Sequence, residues 1–340
     1  MFATIEARER GLGSDVPILV GGAPDQRGVV STASYAARKF GCHSAMPMSQ
    51  ALRLCPEALR FTPRHELYAR YSRRIMDVLR SFGPIEQMSI DEAFVEVGSD
   101  GVNAAVGKAV KEAVRAETEL TVSVGVAPNK LVSKVASDLR KPDGLTVVRE
   151  GEEAAFLGPL DVSRLGGVGP KTAVRLREFG VQTCADLANL PIETLIAQFG
   201  RSTGQSLFEH ARGIDESPVV TRHDLKQISQ ETTFVKDVTD RAKLWGTIRS
   251  LSDAVAGRLQ GHGVLARTVT LKIRYGDFLV VSRSASLSTP TDDSAAIART
   301  AALLVRANWD KRRPIRLVGV GASRLVPSES WLQLSLPIEW

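Results

Sequence analysis

Cysteine is scarce in this 340-residue chain: Cys42, Cys55 and Cys184 stand far apart, with no CxxC pair and no histidine cluster. Neither a disulfide framework nor a structural zinc site is supported, which leaves the three as buried apolar residues or inert thiols. Long apolar runs are missing as well. Nothing approaches the roughly 18 residues of a membrane span, and Met1–Arg10 lacks the basic-then-apolar order of a signal peptide, so a cytoplasmic protein is expected. Internal repeats and low-complexity tracts are absent too, and 43% hydrophobic with 24% charged residues excludes disorder and collagen-like repetition. The length predicts two or three compact domains.

What is present is a charge imbalance with an address. The chain carries +6 overall, yet residues 222–324 hold eighteen Lys/Arg against nine Asp/Glu. That segment is +9 and the remainder about −3, a distribution suited to a polyanionic partner.

Hydrophobic spacing predicts helices over 33–40, 47–54, 66–82, 102–118 and 129–139, with strands over 88–97, 120–126 and 146–148. Residues 159–215 read as short helices separated by glycine turns. A polar connector at 216–225 precedes a β-α-β-β-α-β order: strands 227–235, 268–275, 278–287 and 315–326 with helices 240–260 and 292–308.

Several clusters have chemical potential. Asp91 and Glu92 are adjacent carboxylates, and since neighbouring strand residues face opposite ways, both reach one ion only where a hairpin or bulge breaks the pleat. Mg2+ suits such hard oxygen donors, although a solvated turn also explains the pair. Thr32, Tyr35 and Arg38, around an expected helix start, could present a hydroxyl, a phenol and a guanidinium to phosphate, or form an ordinary surface face. Lys141 in Lys-Pro-Asp-Gly offers a point charge. Gly167 and Gly169, followed by Lys171 and Thr172, open a helix whose free N–H groups suit a nucleic-acid backbone, a structural tight turn being the alternative.

Taken in order, Val30–Gly41, Ser89–Phe94, Ser123–Ala127 with Asn129-Lys130, Lys141–Gly144 and the Gly-Val-Gly-Pro hairpin resemble the Y-family translesion DNA polymerases of the bacterial polymerase IV type. The resemblance implies a multidomain α+β fold, a right-hand polymerase with palm, fingers, helical thumb and little finger. It places a palm remnant at 1–5, fingers at 6–64, palm at 65–158, and a thumb with a helix-hairpin-helix at 159–215. A linker follows at 216–226, then the little finger at 227–326 and a clamp-binding tail at 327–340. It further implies Asp91 and Glu92 as ligands of two Mg2+ ions about 4 Å apart, and Thr32, Tyr35, Arg38 and Lys141 on the triphosphate of a dNTP. Phe2 would exclude a ribose 2′-hydroxyl, unless it is simply a core residue. Primer-template DNA would lie on the basic little finger and on the hairpin of Gly167, Gly169, Lys171 and Thr172. Gln333, Leu334 and Leu336 would dock on a sliding clamp, with Pro337-Ile338 replacing the usual terminal anchor, and the enzyme would be a monomer.

One departure stands out. The family has an Asp in a strand just before the aromatic residue, and the sequence given starts at Met1. The expectation is weak metal binding and an incomplete palm strand, with Glu6 pointing away. A start assigned downstream, Met1 being internal to a longer protein, fits the intact motifs better than degeneration does. A non-catalytic DNA- and clamp-binding homologue is the alternative, and a nucleotide cyclase a weaker third reading, opposed by the hairpin and the little finger.

Overall fold

The computed structural model describes residues 1–98 and 102–329. In chain order its elements are α1 (Phe2–Arg8), β1 (Ile18–Gly21), β2 (Val30–Ala33), α2 (Tyr35–Arg38), α3 (Met48–Leu54), β3 (Leu59–Phe61) and α4 (His65–Arg80). Next come β4 (Ile85–Gln87), β5 (Ala93–Val95), α5 (Ala104–Thr118), β6 (Val124–Val126), α6 (Lys130–Leu139), β7 (Leu145–Val147) and α7 (Glu153–Leu157). Four short helices follow: α8 (Pro170–Glu178), α9 (Cys184–Ala188), α10 (Ile192–Phe199) and α11 (Arg201–His210). The last elements are β8 (Gln227–Val238), α12 (Arg241–Gly261), β9 (Val264–Tyr275), β10 (Val280–Thr291), α13 (Ser294–Asn308) and β11 (Ile315–Pro327). Among the described residues no helix is long and apolar enough to cross a membrane.

The chain forms two compact units, one of residues 1–13 and 63–222, the other of 14–62 with 223 onward. In the first, α4 buries Leu67, Tyr68, Tyr71, Ile75 and Met76, the stripe that its i, i+4, i+8 spacing dictates. Asn103 and Asn129 cap α5 and α6, each side chain accepting from backbone N–H groups of the first turn. Asn129 also donates to the Gly213 carbonyl at 2.8 Å, and Asp215 accepts from Leu131 N–H at 3.0 Å, tying the start of α6 to the end of the α8–α11 helices. One apolar core runs from Leu131, Val132 and Val135 into Leu176, Leu187 and Leu207 of that helical segment. All three cysteines are buried free thiols, and burial pushes Cys184 up to about 11.

Two expectations for this unit need correction. The strand expected over 88–97 is only its middle part, β5: Met88–Glu92 form the turn of a hairpin in which β4 pairs antiparallel with β5, held by Met88 and Ser89 N–H groups donating to the Glu92 carbonyl. The apolar run hid a turn that Ser89-Ile90-Asp91 permits. The strands expected over 88–97 and 120–126 do not share a sheet: β4 pairs with β5, and β6 runs parallel with β7. These strands are three residues each, and among the described residues no strand of one ladder pairs with a strand of the other.

In the second unit, residues 14–62 build a sheet of order β2-β1-β3, and residues 227–327 a sheet of order β10-β9-β11-β8. The latter has the expected β-α-β-β-α-β order, with longer strands. Helices α12 and α13 cover one face through Ile248, Val255, Ile297 and Val305 packed on Val269, Leu271, Val318 and Val320. Arg27, just after a 3-10 turn at Pro24–Gln26, donates to Asp237 and to the Phe234 carbonyl of β8, linking the two sheets' surroundings.

Candidate active site and nucleic-acid interface

The β4–β5 turn lifts Asp91 and Glu92 out of the pleat, so adjacency in sequence no longer forces them onto opposite faces. Their side chains are 42% and 43% exposed. Asp91 accepts from Ser89 Oγ at 3.1 Å, and its Oδ2 lies 3.7 Å from the Met1 nitrogen. Glu92 is held by Lys134 Nζ at 2.6 Å. Among the described residues neither acid is paired with an arginine, and neither is sealed in the core. Among the described residues no group of three or more His, Cys, Asp or Glu gathers as a metal cage. Two solvent-reachable carboxylates still fit Mg2+, which uses one or two such ligands and leaves its other positions to substrate phosphates and water.

Lys134 belongs to a charge series that the sequence reading missed. It also contacts Asp138 Oδ2 at 3.2 Å, and the other oxygen of Asp138 holds Lys141. The two lysines hold the Asp138 carboxyl below its ordinary range against the opposing effect of burial. A signal existed in the i, i+4, i+7 spacing of Lys134, Asp138 and Lys141, but that is also the pattern of any solvated helix face. Past Lys141, Asp143 adopts the left-handed conformation at φ 56°, and its carboxylate is bound by Lys111 and Arg115. Gly144 has no room for a side chain, since a Cβ would sit 2.1 Å from the Arg140 carbonyl.

Phe2 opens α1 half-buried, stacked on Tyr68 with centroids 4.2 Å apart and planes within 12°, while His65 meets its edge. Tyr68 is fully buried and donates to Glu6. Glu6, also fully buried, accepts from Arg64 Nε at 3.0 Å and from Arg10. It faces these partners rather than serving the acidic turn. Burial pushes the Glu6 carboxyl up, but the hydrogen bonds of Arg64 and Tyr68 outweigh this and hold it below its ordinary 4.5. The Tyr68 phenol is pushed up to about 12 by burial and by its bond to Glu6.

In the second unit Thr32 is on β2, and the helix expected from residue 33 begins only at Tyr35, because the strand runs through Ala33 and Ser34 caps α2 by accepting from Ala37 N–H. Tyr35 and Arg38 do share a face: the guanidinium lies 5.9 Å from the ring centroid, and Arg38 Nε donates to the Ala33 carbonyl.

The sheet face of residues 227–327 opposite α12 and α13 is built of small polar residues. Register aligns Ser282, Lys272, Gly319 and Glu231 in one row and Ser284, Thr270, Gly321 and Ser229 in the next. Lys272 is paired with Glu231 at 2.7 Å, whereas Arg274 on the same face has no acidic partner among the described residues. In the first unit, Gly167 takes φ 90° and Gly169 precedes α8, with Val168 buried beneath and Gly167, Gly169 and Lys171 exposed and Thr172 half-exposed. Pro170 opens the nine-residue α8 without an N–H of its own, so the leading N–H groups of the helix are those of Lys171 and Thr172. Gln333, Leu334 and Leu336 lie outside the described residues.

Comparison with known proteins agrees with this architecture. Residues 1–138 match the impB/mucB/samB family, residues 225–336 the C-terminal domain of that family, and residues 163–215 the DNA polymerase-iota thumb domain. A DNA polymerase IV 2 of Methanosarcina mazei is 43% identical over 95% of this chain and 89% of its own length, and a DNA polymerase IV of Methanoculleus marisnigri 45% over 95% and 91%. Among solved structures, a Y-family DNA polymerase chimera of Dbh and Dpo4 superposes with a TM-score of 0.86 at 27% identity, covering 96% of both chains. An insertion ternary complex of Dbh DNA polymerase, with the same coverage at 26% identity, gives 0.67. The chain belongs to the impB/mucB/samB family, the Y-family DNA polymerases.

Proposed function

We propose that this chain carries out template-directed translesion DNA synthesis, transferring a nucleotidyl group from a dNTP to a primer 3′-hydroxyl with Mg2+. The observation that carries the reading is the acidic turn: two adjacent carboxylates, open to solvent and free of arginine, beside a lysine series that runs to the Lys141 turn. Asp91 and Glu92 would hold Mg2+, which when bound neutralises phosphoryl charge and lowers the barrier to attack by the 3′-oxygen. In the transfer, a bond forms from the primer 3′-oxygen to the α-phosphorus and the bond to the pyrophosphate oxygen breaks. Lys141 in the first unit is assigned to phosphate, and Thr32, Tyr35 and Arg38 in the second unit are assigned to phosphate as well. Phe2 offers a flat ring, braced by Tyr68, against a sugar 2′-hydroxyl.

Primer-template DNA is assigned to the polar sheet face of residues 227–327 and to the Gly167–Thr172 hairpin. Hydroxyls, backbone N–H groups and cations there suit phosphates rather than base edges. The hand is divided as the resemblance implies, with fingers at 6–64, palm at 65–158, thumb at 159–215 and little finger at 227–326. The tail is assigned to a sliding clamp, the enzyme acts as a monomer, and its place is the compartment that holds the DNA, in line with the cytoplasmic expectation.

Primer extension by the full-length chain tests this. Asp91→Ala or Glu92→Ala should lower incorporation on the order of 10²-fold or more while primer-template affinity changes little. Extension that survives both substitutions would sink the assignment. Tight DNA binding with no incorporation by the unsubstituted chain would favour the non-catalytic reading, to which the two-carboxylate site lends support.

A further inference from the structure

Glu92, Lys134, Asp138 and Lys141 form an unbroken series of alternating charge within the first unit. Lys134 is shared between Glu92 at 2.6 Å and Asp138 at 3.2 Å. Asp138 is shared in turn, one carboxylate oxygen facing Lys134 and the other Lys141. Among the described residues Glu92 has no other side-chain partner. All four side chains are between 36% and 43% exposed, so ions and phosphates can reach both ends of the series.

We propose that Asp138 is a positioning residue that couples occupancy of the acidic turn to the availability of Lys141. This deepens the polymerase reading and rests on Glu92 as a cation ligand. A divalent cation at Glu92 repels the Lys134 ammonium and takes over its carboxylate. Lys134 then turns wholly to Asp138, whose charge is satisfied by that one ammonium. Asp138 loosens its hold on Lys141, leaving that cation for a phosphate. With Glu92 free of a cation, Lys134 divides its attraction and Asp138 keeps Lys141. Linkage makes the coupling reciprocal: a triphosphate that draws Lys141 away leaves Asp138 to attract Lys134, which uncovers Glu92. The two halves of the substrate complex thus prepare each other's site through one carboxylate that touches neither.

The test needs no turnover. Lysines of the full chain are 13C-dimethylated, the Lys134 and Lys141 signals are assigned by Lys134→Arg and Lys141→Arg, and MgCl2 is added without DNA or nucleotide. Both signals should shift in the unsubstituted chain. In Asp138→Asn the Lys134 signal should still shift while the Lys141 response shrinks to what the ion's direct field alone produces, and Asp138→Glu should restore it. That direct field is common to every variant, so a Lys141 response as large in Asp138→Asn as in the unsubstituted chain overturns the coupling. A Lys134 signal unmoved by Mg2+ in the unsubstituted chain overturns instead the assignment of the acidic turn on which the coupling stands. A second measurement is the affinity for a non-hydrolysable dNTP analogue. At low Mg2+, Asp138→Asn should bind it about 2- to 5-fold tighter, the scale of one exposed ion pair, with the difference closing at saturating Mg2+. Equal affinities at every Mg2+ concentration would refute the proposal. An unchanged denaturant midpoint in Asp138→Asn confirms that the comparison is between folded chains.

Discussion

Glu6 shows what a single side chain decides. It is sealed from water between α1 and α4 with Arg64, Arg10 and Tyr68 around it, so its charge is tolerated only because those donors stay in place. Glu6→Gln keeps the shape but removes the charge, leaving Arg64 and Tyr68 poorly matched. The expected loss is about 2–3 kcal/mol by urea unfolding, below the about 3–5 kcal/mol of a fully buried pair because Arg64 is partly solvated. The pH dependence has a fixed sign. The folded carboxyl lies below the ordinary 4.5, so its stabilisation is complete above that value and disappears as pH falls through the folded one. Glu6→Gln should therefore flatten the acid limb of the stability curve below about pH 4.5, and a limb as steep as before would contradict the assignment. None of this was legible in sequence, where Glu6 is one acid in an acid-and-base run. Arg10 is only four residues on, but Arg64 and Tyr68 lie 58 and 62 residues away, and pairing at that range is a property of packing. Asp91 and Glu92 stood out as candidates only because five motifs occur in order along the chain, whereas Lys134 and Asp138 did not, because helical charge spacing has too many ordinary causes.

At the scale of elements, what could be read followed periodicity, and what could not followed turns. The helix at 66–82 was visible from its apolar stripe, and the β-α-β-β-α-β order from alternating residues broken by capped helices such as Asp240 and Asp293. The β4–β5 hairpin was hidden because β-forming residues flank a five-residue turn without Gly or Pro. The helix expected over 33–40 was begun two residues early for a related reason, since the strand ends at Ala33 and Ser34 caps the helix immediately after it. The α10–α11 pair supplies a clean test of element packing. Gly204 lets α11 cross α10 so closely that a Cβ would lie 2.6 Å from the Ile196 nitrogen, a backbone atom with no freedom to yield. Gly204→Ala, favoured by helix propensity alone, should instead destabilise by about 1–3 kcal/mol in thermal unfolding. Stabilisation there would mean that the crossing is looser than described. On the neighbouring hairpin, Lys171→Ala should leave folding intact and weaken primer-template binding equally for all sequences, as loss of a phosphate contact does.

Across the whole molecule, charge is segregated rather than spread. Residues 222–324 hold +9 while the rest is about −3, and that basic segment supplies a sheet face whose floor is serine, threonine and glycine. Small hydroxyl residues leave a flat surface on which a phosphate backbone can approach the lysine and arginine side chains, and they offer no long side chain to probe base edges. Affinity should then come from counterion release. Binding of primer-template DNA should fall with salt at a log–log slope of about −4 to −6, a loss on the order of 10³ between 50 and 200 mM. The two cations of the face predict different shares of that slope. Arg274 has no acidic partner among the described residues, so Arg274→Ala should make the slope shallower by about 1. Lys272 already neutralises Glu231 at 2.7 Å, so its removal should cost clearly less, and Glu231→Gln, which frees Lys272, should steepen the slope. Fluorescence anisotropy titrations at five salt concentrations with two unrelated duplex sequences decide the matter. Equal slopes for both sequences and the stated order of the three variants are expected, while a flat salt response or strong discrimination between sequences would show that this face is not where DNA lies.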